Sequence, residues 1–287
     1  MAFKVACAQF APRKAAVAQN LDRIAEFVLQ AQEEMADLVV LPETSTSGYF
    51  LEGGVLESAL TSDQLMAELS RRLSGRIHRP IDLMLGFYQN AEGNLHNAAA
   101  YFELMEHGPR LVHVYRKFFL PTYGVFDEER FVSRGRDLGV FDTRFGKLAI
   151  LICEDIWHSI LPSLCAAAGA QMILVPSASP GRGFSGETVG NLDRYHRLMT
   201  AVSEEHGIFC ANCHLCGFEG GKGFVGGSMV TDPFGKLIAQ SPVMDEHMLL
   251  AEIDLDLVAI ARSQSPLISD LQTAWADLRR IMHDLDF

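Results

Sequence analysis

The stretch KLAILICED, from Lys147 to Asp155, is an apolar run that ends in charged residues. A short, continuous apolar run of this kind predicts a buried strand. A short helix rich in Leu and Ala follows it as far as Ala168. The same alternation of strands and helices extends from the N-terminus to about residue 210. Because such alternation is typical of sheets covered by helices, the sequence predicts an α/β fold.

The N-terminal half contains predicted strands and two predicted helices. Asn20 is expected to cap the first helix, whose apolar residues recur every three or four positions. Thr61 and Gln64 have the spacing of a capping box and predict a second helix. The predicted strands run from Phe3 to Phe10, Asp37 to Glu43, Ile81 to Gln89, His96 to Glu103 and Leu111 to Lys117.

The C-terminal half continues the alternation of predicted strands and helices. An amphipathic helix that includes Tyr195 and Met199 is expected to end at Gly207, a typical C-cap residue. From Asp254 onward the pattern becomes helical again. Further strands are predicted from Gln171 to Ser177, Ile208 to Leu215, Gly223 to Thr231 and Lys236 to Gln240.

No linker rich in Gly, Pro or Ser divides the chain, so we expect a single domain over residues 1–265. Residues 266–287 are expected to form a C-terminal helical tail, which is a possible oligomer arm. The apolar residues of the tail include Trp275, Leu278, Ile281 and Met282.

The composition limits the possible partners and compartments. The chain has 287 residues, of which 48% are hydrophobic, and a net charge of −12. An acidic protein of this kind is a poor partner for nucleic acid, whose phosphates attract basic surfaces. No apolar run approaches the roughly 20 residues of a membrane span, and no secretory signal is evident. We therefore expect a soluble, cytoplasmic protein whose six cysteines are reduced.

Three candidate catalytic residues each lie at the end of a predicted apolar strand. Glu43 has apolar neighbours that can raise its pKa toward the range of a general base, although a surface carboxylate is the simpler alternative. Lys117 can stabilise negative charge on a carbonyl oxygen, or it can be solvated. Cys153 lies at a strand-to-helix turn, where N–H groups can stabilise a thiolate and an oxyanion. A buried cysteine that only packs is the alternative.

The segment CANCHLC, which holds Cys210, Cys213 and Cys216, resembles a metal or cluster site at first sight. A suitably spaced fourth ligand is missing. Successive strand residues face opposite ways, so Cys213 is expected to point away from the other two. We therefore expect these cysteines to be structural and the protein to bind no metal.

Five segments together resemble the nitrilase superfamily of carbon–nitrogen hydrolases. Glu43, Lys117 and Cys153 stand in the chain order of that family's glutamate, lysine and cysteine, and the likeness covers almost the full chain. YRKFFLPTYGVFDE and CEDIW are most similar to the glutaminase domain of glutamine-dependent NAD synthetases, which carry a further ATP-binding domain, whereas we expect a standalone hydrolase domain here. The five segments are VACAQF, LVVLPETSTSGY, YRKFFLPTYGVFDEERF, LICEDIW and GGSMVTDPFGK.

The resemblance implies an αββα four-layer sandwich, a homodimer or a higher homo-oligomer, and a mechanism that needs no cofactor. It assigns Cys153 as the nucleophile, Glu43 as the general base and Lys117 as an oxyanion donor, with the backbone N–H of Glu154 as a second donor. Glu128 matches a second pocket glutamate of the glutaminase-like members. We expect hydrolysis of a small amide through a thioester.

Several details of the substrate stay open at this stage. Ser177 stands where the glutaminase domains usually have an asparagine, and Cys153 is followed by Glu-Asp where true nitrilases typically have Trp-Glu. The alternatives to a simple amidase are a glutaminase-type subunit that supplies a separate synthetase, an N-carbamoyl amidase, a nitrilase, and a scaffold without activity. Pocket-lining residues are predicted at Tyr49, Tyr123, Trp157 and Ser179, and Arg182 is a candidate contact for a substrate carboxylate.

Overall fold

Two six-stranded β-sheets form the centre of the molecule, seen in a computed structural model that describes residues 2–185 and 188–285. The strands are β1 (Ala2–Gln9), β2 (Leu38–Val40), β3 (Ile81–Ala91), β4 (Asn94–Met105), β5 (Gly108–Arg116), β6 (Val140–Asp142), β7 (Lys147–Ile150), β8 (Met172–Ser177), β9 (Phe184–Ser185), β10 (Thr188–Val189), β11 (Phe209–His214), β12 (Cys216–Glu219), β13 (Lys222–Val225), β14 (Met229–Thr231), β15 (Leu237–Gln240) and β16 (His247–Asp254).

The helices cover the outer faces of these sheets. They are α1 (Val17–Glu33), α2 (Val55–Ser58), α3 (Ser62–Leu73), α4 (Ile160–Ala167), α5 (Gly190–His206), α6 (Asp256–Gln264) and α7 (Leu267–Asp284). Short 3-10 turns span Glu52–Gly54, Glu128–Arg130 and Cys153–Trp157. Within the described ranges, no helix is both long enough and apolar enough to cross a bilayer.

The two sheets share one pattern of parallel and antiparallel pairing. The first has the order β16-β1-β2-β3-β4-β5 and the second the order β15-β14-β11-β8-β7-β6. Each has a parallel centre, formed by β1, β2 and β3 or by β7, β8 and β11, with antiparallel strands at its edges. Parallel strands require crossover connections, and α1 and α4 lie within two of these connections.

Alternation along β1 shows how the layers form. Val5 and Cys7 belong to the core cluster that also holds residues of the second sheet, whereas Ala6 and Ala8 pack with α1 and α3 on the other face. Successive strand residues point to opposite faces, so an apolar strand is buried on both sides. On the second sheet, α5 provides the outer layer. The predicted αββα sandwich is confirmed.

Two predicted helix boundaries are confirmed and one is wrong. Thr61 and Gln64 form the expected capping box, and Gly207 ends α5 in the left-handed conformation. Asn20, however, does not cap α1, which begins at Val17. Its amide instead binds the backbone of Arg13 and Thr46, at 2.7 to 3.0 Å. The asparagine therefore secures the neighbouring loops and leaves the helix end uncapped by a side chain.

The strand predicted from Gly223 to Thr231 is in fact two strands, β13 and β14. Gly226 and Gly227 separate them, both with positive φ, at 67° and 74°. A side chain at Gly226 would also meet the Gln9 amide, since an added Cβ would lie 2.4 Å from its nitrogen. The glycine pair therefore bends the chain where the sequence pattern suggested a continuous strand. Strands β6, β9, β10, β12 and β16 were not predicted.

Candidate active site

Glu43 and Lys117 lie together at one end of the first sheet. Glu43 follows β2 by three residues, and Lys117 follows β5 directly. Both side chains are fully buried, and Lys117 Nζ donates a hydrogen bond to Glu43 Oε1 at 2.7 Å. The sheet thus joins two charged residues that are 74 positions apart in the sequence. Burial keeps water from screening this ion pair.

Glu128 places a second carboxylate on the same ammonium. Its Oε1 accepts a hydrogen bond from Lys117 Nζ at 2.5 Å and another from the Tyr49 hydroxyl. Two negative groups therefore share one buried positive charge. Asn97 lies between the carboxylates, and its Nδ2 donates to Glu43 Oε1 at 2.7 Å and to Glu128 Oε2 at 3.3 Å.

Asn97 was not singled out from the sequence. It is a fully buried amide in β4 and is followed by an alanine run. Its only sequence signal is a polar residue inside an apolar strand, which in a buried position requires a hydrogen-bond partner. The partners here are the two carboxylates.

The charges of this cluster shift the pKa values of its members. Burial alone would lower the pKa of Lys117, but the adjacent Glu128 and Glu43 outweigh it and hold that pKa well above its usual value. The pKa of Glu128 is raised to about 7, because burial and the charge on Glu43 together outweigh the opposing effect of Lys117. Lys117 is therefore a permanent cation, and Glu128 exchanges a proton near neutral pH.

Glu128→Gln is expected to remove a pH-dependent loss of stability. The pKa of Glu128 is higher in the folded protein than its usual 4.5, so the folded state binds the proton more tightly. The contribution of this tighter proton binding to the free energy of unfolding is fully present below about pH 4.5 and is lost as the pH rises through about 7. Thermal unfolding at several pH values between about 5 and 8 should therefore show Tm falling more in the wild type than in the variant. Parallel curves would contradict the shift.

Cys153 begins the 3-10 turn that follows the second sheet's β7. Its φ is +50°, a left-handed conformation that non-glycine residues rarely adopt, and its side chain is buried. Strained backbone of this kind persists only where the surrounding structure holds it in place. Both Glu43 and Lys117 act electrostatically on the thiol, in opposite directions. The structure therefore brings Cys153 close to the charged pair of the first sheet.

The Cys153 thiol is neutral at rest. Burial raises its pKa far above the usual value, and the charge on Glu43 adds to this effect. Lys117, Tyr195 and the backbone N–H of Ala178 act in the opposite direction but do not compensate. The N–H groups of the turn, expected from the sequence to favour a thiolate, are outweighed. A base must therefore remove the proton when the sulfur reacts.

Asp155 holds the cysteine turn against the segment that follows Lys117. Its carboxylate accepts hydrogen bonds from the backbone N–H groups of Phe118 and Phe119, at 3.1 and 2.8 Å, and from that of Ile152 at 3.0 Å. The Tyr115 hydroxyl donates to it as well, at 2.9 Å. Burial raises the pKa of Asp155 to about 6. No role was predicted for Asp155 from the sequence.

Glu43 also contacts the second sheet. Its Oε2 accepts a hydrogen bond at 2.8 Å from the N–H of Ala178, which follows β8. One carboxylate oxygen is thus bound to the lysine of the first sheet and the other to the backbone of the second. The charged pair and the thiol come from different sheets, and their separation depends on how the sheets pack.

Comparison with known proteins identifies the class of the protein. Residues 4–263 match the model of a family described as carbon-nitrogen hydrolase. The chain belongs to the carbon-nitrogen hydrolase family. Two curated relatives are glutamine-dependent NAD(+) synthetases. That of Acinetobacter baylyi is 30% identical over 255 residues, which are 88% of this chain and 44% of the relative. That of Thermotoga maritima is 30% identical over 258 residues, 88% of this chain and 42% of the relative. This carbon-nitrogen hydrolase therefore spans less than half their length.

Solved structures with the same fold include several enzymes. The glutamine-dependent NAD+ synthetase of Acinetobacter baumannii has a TM-score of 0.77 at 29% identity and matches 90% of this chain and 47% of its own. A variant of the amidase from Nesterenkonia sp. AN1, with the acetamide moiety of fluoroacetamide added covalently at the active site cysteine, has a TM-score of 0.75 at 25% identity, with 97% and 95% coverage. The protein is accordingly an enzyme that cleaves carbon–nitrogen bonds.

Two cavities of this carbon-nitrogen hydrolase flank the cluster. One, of about 300 Å³, lies beside the cysteine turn and is lined by Tyr123, Trp157, Arg182, Gly183, Gly190, Asn191 and Arg194. The other, of about 500 Å³, includes Tyr49 and Glu128 in its lining. The Tyr123 hydroxyl donates to the Glu154 carboxylate, at 2.9 to 3.0 Å. Ser179 is buried, and its hydroxyl accepts a hydrogen bond from Asn191. It is not among the residues that line these two cavities.

The cysteines of CANCHLC are all buried, and Cys216 belongs to β12 and not to β11. Cys210 interacts with Ser203 of α5 and with Thr231, whereas Cys213 interacts with Cys7 of the facing sheet. These two thiols therefore face opposite sides of β11. Within residues 2–185 and 188–285, no three His, Cys, Asp or Glu side chains are grouped to hold a metal ion.

Proposed function

We propose that this carbon-nitrogen hydrolase cleaves a non-peptide carbon–nitrogen bond of a small amide through a thioester on Cys153, releasing ammonia or an amine. The observation that carries the proposal is the buried Lys117 ammonium, held by Glu43 and Glu128, with the Cys153 thiol within their electrostatic influence. Such a group of side chains supplies a nucleophile, a base and a fixed positive charge.

The proposed reaction begins with proton transfer from Cys153 to Glu43 as the sulfur attacks the amide carbon. Because the thiol is neutral at rest, proton transfer and attack are coupled. The resulting oxyanion is stabilised by the Lys117 ammonium and the backbone N–H of Glu154. Glu43 then donates the proton to the departing nitrogen, the carbon–nitrogen bond breaks, and a thioester remains.

The second half of the reaction hydrolyses the thioester. Glu43 removes a proton from a water molecule, the resulting hydroxide attacks the acyl carbon, and the carbon–sulfur bond breaks. The thiol regains a proton and the acid is released. Glu43 suits this double task because hydrogen bonds to Lys117 and Ala178 fix both of its oxygens. Division of one difficult step into two easier ones is the advantage of covalent catalysis.

Glu43→Gln is expected to accumulate an acyl enzyme when it reacts with p-nitrophenyl acetate. In the variant the thiol proton passes to solvent, which slows acylation, but the activated nitrophenolate leaves without needing a proton from Glu43. Hydrolysis of the less reactive thioester needs Glu43 to activate water, so this step is slowed more. Mass spectrometry of the digested protein should locate one acetyl group on the Cys153 peptide. The control is Glu129→Gln, which changes the exposed carboxylate next to Glu128 in the sequence. This variant should turn over without accumulation of an acyl enzyme. An acetyl group elsewhere would count against the proposal.

A second candidate function is a glutaminase-type subunit that supplies ammonia to a separate synthetase. Two features favour it: the match to glutamine-dependent NAD synthetases, and the pair Arg182 and Arg194 in the cavity beside the cysteine turn. Each guanidinium group lies over an aromatic ring, Arg182 over Phe126 and Arg194 over Trp157, and a guanidinium group at a cavity wall can bind a substrate carboxylate. Ammonia release from a panel of glutamine, simple amides, N-carbamoyl compounds and nitriles distinguishes the candidates.

We also propose that α7 is a contact between copies of this chain. Four of its apolar side chains are between 37% and 58% exposed: Trp275, Leu278, Ile281 and Met282. Several exposed apolar side chains on one helix are typical of a protein–protein contact. Light scattering of the full chain measures the assembly.

A further inference from the structure

Tyr195 of α5 contacts the sulfur of Cys153. Its hydroxyl oxygen lies 3.1 Å from Cys153 Sγ, and the whole side chain is buried. The tyrosine ring is held edge-on between two other rings, with centroid distances of 5.1 Å to Trp157 and 4.6 Å to His214 and interplanar angles of 86° and 90°. These contacts fix the ring, so the hydroxyl has little freedom to turn away from the sulfur.

We propose that Tyr195 is a further catalytic residue, whose hydroxyl donates a hydrogen bond to Cys153 Sγ and stabilises the thiolate as Glu43 takes the proton. The inference rests on the proposed role of Cys153 as the nucleophile. While the sulfur is protonated, either atom can donate this hydrogen bond. Once the sulfur is negative, only the tyrosine can donate.

The change of donor makes the contact selective for the reacting state. A hydrogen bond to a charged acceptor is stronger than one between neutral groups. The Tyr195 contact therefore strengthens as negative charge develops on the sulfur, which is the condition for lowering a barrier instead of merely binding. Tyr195 keeps its own proton throughout, and the thiol proton passes to Glu43.

The electrostatic surroundings support this direction. Burial and the nearby Cys153 raise the pKa of Tyr195 well above its usual value, so the phenol stays protonated and remains a donor. Around the sulfur, Glu43 opposes ionisation, whereas Lys117, Tyr195 and the Ala178 N–H favour it. Tyr195 is thus one of three groups that favour ionisation against burial.

The tyrosine hydroxyl also interacts with a second polar side chain, that of Ser177. This contact lowers the pKa of Tyr195. Ser177 Oγ in turn accepts a hydrogen bond at 2.9 Å from Asn212 Nδ2, so the serine proton is left for another acceptor. A donor from the serine would strengthen the tyrosine as a donor to the sulfur.

Tyr195→Phe tests the proposal because it removes the hydroxyl and keeps the ring. Chloroacetamide alkylates a thiolate: the sulfur displaces chloride, and the thiol proton passes to Glu43. We expect alkylation of Cys153 in the variant to slow by roughly tenfold to a hundredfold at neutral pH. A tenfold loss corresponds to an apparent thiol pKa about one unit higher, so the pH profile of alkylation should move upward by at least that amount, with kcat falling in parallel.

The matched control is Tyr101→Phe. Tyr101 is also fully buried, but its hydroxyl donates to Asp82 at 2.7 Å and not to the sulfur. This variant should be alkylated at the wild-type rate. If Tyr195→Phe fails to fold, 3-fluorotyrosine placed at position 195 keeps the ring and provides a stronger donor, so the alkylation profile should move downward.

The outcomes separate this inference from the proposed function. If the wild type is alkylated at Cys153 but the pH profile of alkylation is unchanged in Tyr195→Phe or in the fluorotyrosine protein, the role of Tyr195 alone is wrong. Absence of alkylation at Cys153 in the wild type would instead count against the nucleophile itself.

Discussion

Cys153→Ala is expected to lower kcat for amide hydrolysis by a factor on the order of 10⁶, to the level of background hydrolysis. The substitution removes the atom that forms the covalent intermediate, and loss of a nucleophile in a hydrolase has an effect of this size. Lys117 and Glu43 remain in place but have no acyl enzyme to stabilise. The measurement is ammonia release from the best amide of the panel, with long incubation to detect residual turnover.

A matched control distinguishes loss of chemistry from loss of structure. Cys210→Ala removes another fully buried thiol from the same core, but one that faces Ser203 and Thr231. Both variants should lose a similar, small amount of stability, since each creates a cavity the size of one sulfur atom. Only Cys153→Ala should lose turnover. Wild-type turnover in Cys153→Ala would refute the thioester mechanism.

Lys117→Met is expected to reduce both activity and stability. The ammonium is the only cation that binds Glu43 and Glu128 directly among the described residues, so its removal leaves two carboxylates together in a buried site. Loss of one partner from a buried ion pair destabilises a protein by about 3–5 kcal/mol. Loss of an oxyanion donor lowers kcat by about 10²–10³. Urea unfolding and ammonia release measure the two effects separately.

The double variant Lys117→Met, Glu128→Gln separates the structural role of the lysine from its catalytic one. Glutamine removes one carboxylate, so the repulsion disappears and much of the stability should return. The oxyanion donor is still missing, so kcat should stay low. Recovery of kcat together with stability would show that Lys117 acts only in folding.

The residues at strand ends could be predicted from the sequence because a change from apolar to charged residues marks them. Glu43, Lys117 and Cys153 each end such a run, and the fold class follows from the alternation of these runs with helices. What brings Glu43 and Lys117 together is the order of the strands, with β3 and β4 between β2 and β5. Local periodicity does not determine that order.

Tyr195 and Asp155 show why other parts of the site could not be predicted. Tyr195 has the spacing of an ordinary core residue in an amphipathic helix, and its hydroxyl gains a role only from the position of the cysteine turn. Asp155 has the appearance of a charged residue at a helix start, yet it is fully buried and accepts several hydrogen bonds. Both roles depend on contacts between distant segments, which residue type alone does not reveal.

Because the acid and the amine come from one sheet and the thiol from the other, the proposed reactive centre lies at the interface between the two sheets. A small slip along that interface would separate the reacting atoms while each sheet kept its own hydrogen bonds. Turnover should thus be a more sensitive gauge of inter-sheet alignment than spectroscopic measures of secondary structure. Substitutions between the two sheets, far from any substrate, can then abolish activity while the protein stays folded.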